Sequence, residues 1–249
     1  MTSSISTAPL IGLIVPPASG EVPGDAWKLY ADRARFIARG LALPAISTAG
    51  YDTVIDSVTA RAIELADAGA QAISLMGTSL SFYRGADFNH ELIDAMTAAT
   101  GLPSTTMSRA VVRGLRNVGA QRVAVATAYT DDVNERLSAF LKAEGFEVTF
   151  IKGLGMTDVI GVGEVTGDIL TAVARDVFAA DTTAQALLIS CGGLKTLGII
   201  EALEARIGVP VVSSSPAGFW DVAQMAQVDP LVDGFGELFR RRALAAELH

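Results

Sequence analysis

Cysteine and histidine are nearly absent from this chain: among 249 residues there is one cysteine, Cys191, and two histidines, His90 and His249. A lone cysteine cannot close an internal disulfide, and two imidazoles without C-x-x-C spacing exclude the usual zinc and iron centres. Long hydrophobic runs are missing too. The stretches LIGLIV (Leu10 to Val15) and ALLI (Ala186 to Ile189) fall far short of the roughly 18 to 20 residues a spanning helix needs, although the mean hydropathy is high, +0.40. No positive charge precedes the first apolar run and Pro16-Pro17 interrupt the chain directly after it, so no secretory signal is read there. Basic residues are scattered over a chain of formal net charge −8. The one short basic cluster, Phe239 to Ala243, lies near Glu237 and Glu247 and reads as a solvated helix end. Without a clustered basic face, nucleic acid is not an expected partner. The expectation is a soluble, cytoplasmic monomer whose partner is a small molecule and which touches no membrane.

With 50% hydrophobic residues the chain can bury a sizeable core. Short apolar runs alternate with longer stretches at helical spacing, and each run ends in a loop of small residues. That alternation signals parallel α/β architecture, whose inner strands are apolar on both faces. Strands are predicted at Leu10 to Val15, Ala70 to Leu75, Ser104 to Thr106, Arg122 to Thr127, Glu147 to Ile151, Ala186 to Ile189 and Pro210 to Val212. Helices are predicted at Tyr51 to Ala68, Phe88 to Thr100, Met107 to Val118, Asp131 to Glu144, Asp168 to Ala179 and Leu197 to Ile207.

A weak internal repeat adds the organisation. In the first half a strand ends in MGTS (Met76 to Ser79) and a helix leads to GLPSTTMS (Gly101 to Ser108). In the second half a strand ends in SCGG (Ser190 to Gly193) and a helix leads to GVPVVSSS (Gly208 to Ser215). Two copies of one α/β unit facing each other would put Gly77 and Cys191 on opposite sides of one cleft. Ligands of open parallel sheets sit beyond the carboxyl ends of the strands, where such loops converge. The first unit is expected to comprise residues 1–117 with 216–249, and the second residues 118–215.

Three polar loops should line that cleft: Gly77-Thr78-Ser79, Ala126 to Tyr129, and Cys191-Gly192-Gly193. Each leaves a strand end toward a helix, so outward amides and the helix dipole favour an anion, and Thr78, Ser79 and Tyr129 add hydroxyl donors. Each feature has a plain structural role as well. Thr78 and Ser79 could simply cap the next helix, Gly192 and Gly193 could permit a tight turn, and a free cysteine is a common buried packing residue. Asp131 and Asp132 read as first-turn acids of a helix, Arg84 as a solvated side chain or a partner of Asp87, and His90 as a surface residue.

The stretches ISLMGTSLSFYRG (Ile73 to Gly85), ATAYTDDVNERL (Ala126 to Leu137), SCGGL (Ser190 to Leu194), VPVVSSSPAGFW (Val209 to Trp220) and GLIVPPASG (Gly12 to Gly20) resemble the arylmalonate decarboxylases of the aspartate/glutamate racemase superfamily. The resemblance implies two pseudo-symmetric Rossmann-like parallel-sheet domains with the active site in the cleft between them. It implies enantioselective decarboxylation of an aryl- or vinyl-substituted malonate, a small dicarboxylate, to a chiral monocarboxylic acid without metal or cofactor. Carried over by position, Cys191 would donate the proton. Thr78, Ser79, Tyr129 and the amides near Gly192 and Gly193 would hold the retained carboxylate in a dioxyanion hole. Pro16, Leu43, Ile46, Tyr51, Val159 and Val162 would surround the departing carboxylate, with Pro17, Gly77 and Leu80 also at the substrate.

The chemistry suits these residue types. Without an electron-sink cofactor the substrate must delocalise the carbanion itself, fixed donors stabilise the enediolate as it develops, and a thiol, with an ordinary pKa of about 8.5, is protonated at neutral pH as a general acid must be. Racemases that resemble this scaffold use two thiols, one on each face of the reacting carbon; here the position facing Cys191 is Gly77. Two other readings stay open from sequence: a racemase or isomerase of a small carboxylic acid with a non-cysteine second base, and a non-enzymatic carboxylate-binding module.

Overall fold

The computed structural model describes residues 8–242; the first seven residues, the end of the basic run at Ala243, Glu247 and His249 lie outside them. The strands are β1 (Leu10–Val15), β2 (Arg35–Gly40), β3 (Ala72–Leu75), β4 (Ser104–Thr106), β5 (Arg122–Thr127), β6 (Glu147–Gly153), β7 (Ala186–Ser190) and β8 (Val211–Ser213). They form two four-stranded sheets, ordered β2-β1-β3-β4 and β6-β5-β7-β8, and every pairing is parallel. The order is the same in both halves, as the sequence repeat predicts, so β3 and β7 are equivalent strands and Gly77 and Cys191 follow equivalent ends.

The helices are α1 (Asp25–Tyr30), α2 (Thr48–Val54), α3 (Val58–Asp67), α4 (Thr78–Phe82), α5 (Ala86–Thr100), α6 (Met107–Asn117), α7 (Asp131–Ala143), α8 (Gly167–Ala180), α9 (Ile200–Ile207) and α10 (Ser214–Met225). The seven expected strands agree with the structure to within about two residues at each end, β3 beginning at Ala72 and β6 running on to Gly153. The helix expected from Tyr51 to Ala68 is interrupted by a 3-10 turn at Ile55–Ser57, where Ser57 Oγ turns back to the Val54 carbonyl at 2.6 Å. The helix expected from Leu197 begins only at Ile200. Asp131 and Asp132 do lie in the first turn of α7.

Besides short helices such as α1, the strand β2 and the helix α10 have no counterpart among the predicted strands and helices, for opposite reasons. β2, RFIARG, is an edge strand with one fully buried residue, Phe36, so it offers no apolar run. α10 is buried continuously from Ser214 to Ala223, so no polar face marks its period; Pro216 falls within its first turn, where a missing N–H costs no intrahelical bond. The basic run does not end a long helix. Arg240 closes a 3-10 turn, Glu237–Arg240, and Arg240, Arg241 and Arg242 pair with Glu201, Glu237 and Asp229.

Helices α6 and α10 pack on each other and against β4 and β8, the adjoining edges of the two sheets. Their contact contains a buried ion pair: Arg113 Nη1 lies 2.7 Å from Asp221 Oδ1, and Thr105 Oγ1 donates to Asp221 Oδ2 at 2.6 Å. Both charged side chains are essentially inaccessible. Removing one partner strands the other charge in a dry interior, a loss of about 3–5 kcal/mol. Asp221→Ala should therefore lower the unfolding free energy by about 3–5 kcal/mol in urea titration. The double variant Arg113→Met/Asp221→Leu should lose less than that single variant, because neither charge is then left unpaired.

Candidate active site

The carboxyl ends of β1, β3 and β7, with loops from both halves, enclose a cavity of about 730 Å³. Its wall includes Cys191, Gly192 and Gly193 after β7, Gly77, Thr78, Ser79 and Leu80 after β3, and Pro16 and Pro17 after β1. Leu43 and Ile46, from the loop after β2, and Val159 and Val162, from the segment after β6, form its apolar side. The two apolar segments are joined: the Ile46 N–H donates to the Thr157 carbonyl at 2.8 Å. Of the fifteen residues singled out from sequence, thirteen reach this wall.

Tyr51 and Tyr129 do not. Both are almost wholly buried and stand behind the wall with their hydroxyls near the thiol. The Ala126 to Tyr129 loop is covered because Leu154–Met156 folds over it: Met156 N–H donates to the Ala128 carbonyl at 2.8 Å and Gly155 N–H to that of Tyr129 at 3.1 Å. Tyr129 Oη lies 3.4 Å from Ser190 Oγ, and burial raises its pKa well above the ordinary tyrosine value. Tyr51, expected among the apolar lining residues, instead sets its hydroxyl beside Ser79 and Cys191 without a well-formed hydrogen bond.

Cys191 is 7% exposed. Burial pushes its pKa up to about 11, opposed by the Gly193 amide, the Tyr129 hydroxyl and the Leu194 amide, which favour the thiolate. The residue takes φ 155°, a conformation rare for a residue with a Cβ and of the kind that concentrates at functional sites. Its N–H donates to Ser214 Oγ at 3.3 Å, and its carbonyl accepts from Leu194 N–H at 3.2 Å, which closes the tight turn. The glycines after it do not take positive φ. Gly192 sits at a close approach: a Cβ there would lie 2.9 Å from Met107 Sδ and 3.1 Å from the Met76 carbonyl oxygen of the other half.

Thr78 and Ser79 are not caps. Gly77 is the N-cap of α4 and no side chain caps it; Thr78 Oγ1 instead donates to Met107 Sδ at 2.9 Å. Ser81 Oγ and Ser108 Oγ both hydrogen-bond to the Thr78 carbonyl, at 3.0 and 2.8 Å, which fixes the loop. Arg84 pairs with Asp52, not Asp87, and His90 is exposed; neither belongs to the cavity wall.

Several wall residues escape the sequence reading. Met107 and Ser215 follow β4 and β8, the strands that end the two repeats, so the repeat itself carried that signal. Asp25, whose carboxylate accepts from Ser215 Oγ at 2.8 Å and whose pKa is raised by burial, comes from α1, a helix the sequence pattern does not mark. Glu21, Asp158 and Lys195 complete the charged rim. Among the described residues there is no group of three or more His, Cys, Asp or Glu able to hold a metal ion, and no helix long and apolar enough to cross a membrane.

Comparison with known proteins shows the family and the fold. The family model for arylmalonate decarboxylase matches residues 11–239. The chain is 52% identical to an arylmalonate decarboxylase of Bordetella bronchiseptica, across 94% of this chain and 98% of that one. It is 28% identical to a maleate isomerase of Nocardia farcinica, across 93% and 95% of the two chains. Among solved structures, a glycine-to-cysteine, cysteine-to-serine double mutant of arylmalonate decarboxylase in the liganded form superposes with a TM-score of 0.92 at 51% identity, covering 94% of this chain and 99% of that one. A maleate isomerase of Pseudomonas putida S16 with maleate shares the fold, with a TM-score of 0.85 at 20% identity over 94% and 98% of the chains. A family match along nearly the whole chain, with more than half the residues shared with one relative and the same fold, makes this chain a member of the arylmalonate decarboxylase family and its enzyme class that of a carboxy-lyase.

Proposed function

We propose that the protein decarboxylates an aryl- or vinyl-substituted malonate and protonates the resulting enediolate on one face from Cys191. The observation that carries this reading is a buried thiol, pushed up to about 11 and so protonated at neutral pH, in one cavity with Gly77, which has no proton to give. The retained carboxylate lies on the Thr78 and Ser79 hydroxyls and the amides at Gly192 and Gly193. Thr78 is free to change partners, because a thioether is a weak acceptor that a carboxylate outcompetes. Tyr129 supports the site from behind through the thiol and Thr78.

The departing carboxylate faces Pro16, Leu43, Ile46, Val159 and Val162. Its C–C bond breaks, carbon dioxide leaves, and the electron pair enters the enediolate, delocalised further by the aryl or vinyl group. Fixed donors stabilise that charge as it forms. The Cys191 S–H proton then goes to the α-carbon, and the thiolate left behind regains a proton from water. Its two neighbouring amides and the Tyr129 hydroxyl ease the transient negative charge, while burial makes it short-lived. A chain with one cysteine cannot deliver protons from two opposed thiols, which sets this reading above a two-thiol racemase.

Cys191→Ala should reduce carbon dioxide release from phenylmalonate by about 10²–10⁴-fold, the usual contribution of a general acid, with an unchanged circular dichroism spectrum; undiminished turnover would refute the role. For the native enzyme, kcat should stay level through neutral pH and fall only as pH approaches about 11, where the thiol ionises. A fall near neutrality would point to a different acid. At Gly77 the φ of −132° is open to any residue, and an added Cβ would meet the end of the Leu80 side chain, at 2.8 Å from Cδ1, which can turn aside, with Leu80 Cβ at 3.3 Å and Pro16 Cγ at 3.4 Å. Gly77→Cys, with Cys191 kept, should therefore exchange and racemise a chiral 2-arylpropionate in deuterated water, as read by NMR and chiral chromatography.

A further inference from the structure

We infer that Lys195 draws the doubly charged substrate into the cavity; this rests on the decarboxylase reading. The cavity rim carries three acids, Glu21, Asp25 and Asp158, and a single cation, Lys195, on a chain of formal net charge −8. Of the charged side chains on that rim, only the ammonium attracts a malonate dianion. Two of the acids have partners of their own: Asp25 accepts from Ser215 Oγ, and Asp158 accepts the Ile160 N–H at 2.9 Å. Lys195 is exposed, and among the described residues no carboxylate lies within ion-pairing distance of it, whereas Arg240, Arg241 and Arg242 are all paired.

The backbone beneath that ammonium is held firmly. Leu194 N–H closes the turn onto the Cys191 carbonyl, and Thr196, fully buried, shares a 2.6 Å hydrogen bond with Ser213 Oγ. Lys195 thus projects from a fixed point between the thiol turn and a buried anchor. Charge in a cleft with low-dielectric walls raises the local concentration of an oppositely charged substrate and its association rate. Such an interaction acts before the chemical step, so it belongs in KM and in the ionic-strength dependence of kcat/KM, not in kcat.

The test compares the native enzyme with Lys195→Gln, Lys195→Glu and Lys195→Arg in carbon dioxide release from phenylmalonate over a range of salt concentrations. Lys195→Gln should raise KM by about three- to tenfold at low salt with kcat within about twofold of native, and Lys195→Glu should raise it further. Lys195→Arg should restore KM, and the difference between native and Lys195→Gln should shrink as salt screens the rim. The monoanionic product, as a competitive inhibitor, should be weakened less than the dianion. An unchanged KM and salt slope in Lys195→Gln would overturn the inference. Calorimetric binding of an unreactive dialkylmalonate to native and Lys195→Gln protein reads the same factor without turnover. Equal affinities there sink the steering role, whereas an absence of carbon dioxide release from any malonate sinks only the decarboxylase reading.

Discussion

A thiol can serve as an acid at neutral pH only if it keeps its proton, and in this protein burial favours the protonated form. Cys191 is enclosed at the end of β7, and the loss of solvation pushes it up to about 11. Enclosure requires the two sheets to come close at their carboxyl ends. That is why Gly192 packs against the Met76 carbonyl and the Met107 sulfur, where a Cβ would be crowded. The closeness depends in turn on α6 and α10, which join the sheet edges through the Arg113–Asp221 pair. The same constraint puts Cys191 in a rare backbone conformation, a local cost carried by the surrounding packing.

The two halves share a strand order but not a chemistry. The ends of β1 and β5 are topological equivalents; one presents Pro16 and Pro17 to the cavity, while the other is sealed by Leu154–Met156. The ends of β3 and β7 differ as sharply, glycine against cysteine. The departures from symmetry are therefore what distinguish the two sides of the cavity: one carries a buried thiol at the end of its central strand and the other a glycine. A symmetric fold supplies a cleft, and asymmetric substitutions give it direction.

Much of this was legible in the sequence because the relevant signals were local. Inner strands buried on both faces are continuous apolar runs, so β1, β3, β5 and β7 were readable, and the MGTS and SCGG endings marked the equivalent loops. β2 was not, because an edge strand carrying Arg35 and Arg39 buries too little to show a pattern. α10 was hidden by the converse, burial so complete that no polar face remains. Among site residues, Cys191 and Thr78 follow strand ends and could be placed by topology. The burial of Tyr51 behind the wall could not, since it depends on packing against Tyr83, distant in sequence, and Asp25 reaches the rim from a six-residue helix that has no periodicity to read.

Three hydroxyls on and behind the cavity wall hold only weak partners or none. Thr78 spends its donor on a thioether, Tyr129 meets Ser190 only at 3.4 Å, and the buried Tyr51 hydroxyl lacks a well-formed partner. A buried donor left without a partner costs about 1–3 kcal/mol, so the Tyr51 hydroxyl set beside the thiol is not a packing solution that stability alone would favour. An anion entering the cavity supplies Thr78, which lies on the wall, with an acceptor stronger than its thioether partner. Because the donors are fixed before it arrives, little reorganisation is needed as negative charge grows on the retained carboxylate, which is the condition under which fixed dipoles favour a transition state over a ground state. The hydroxyl cluster and the apolar side thus play complementary parts in the proposed reaction: the first is arranged for a charge that increases, the second for a charge that disappears.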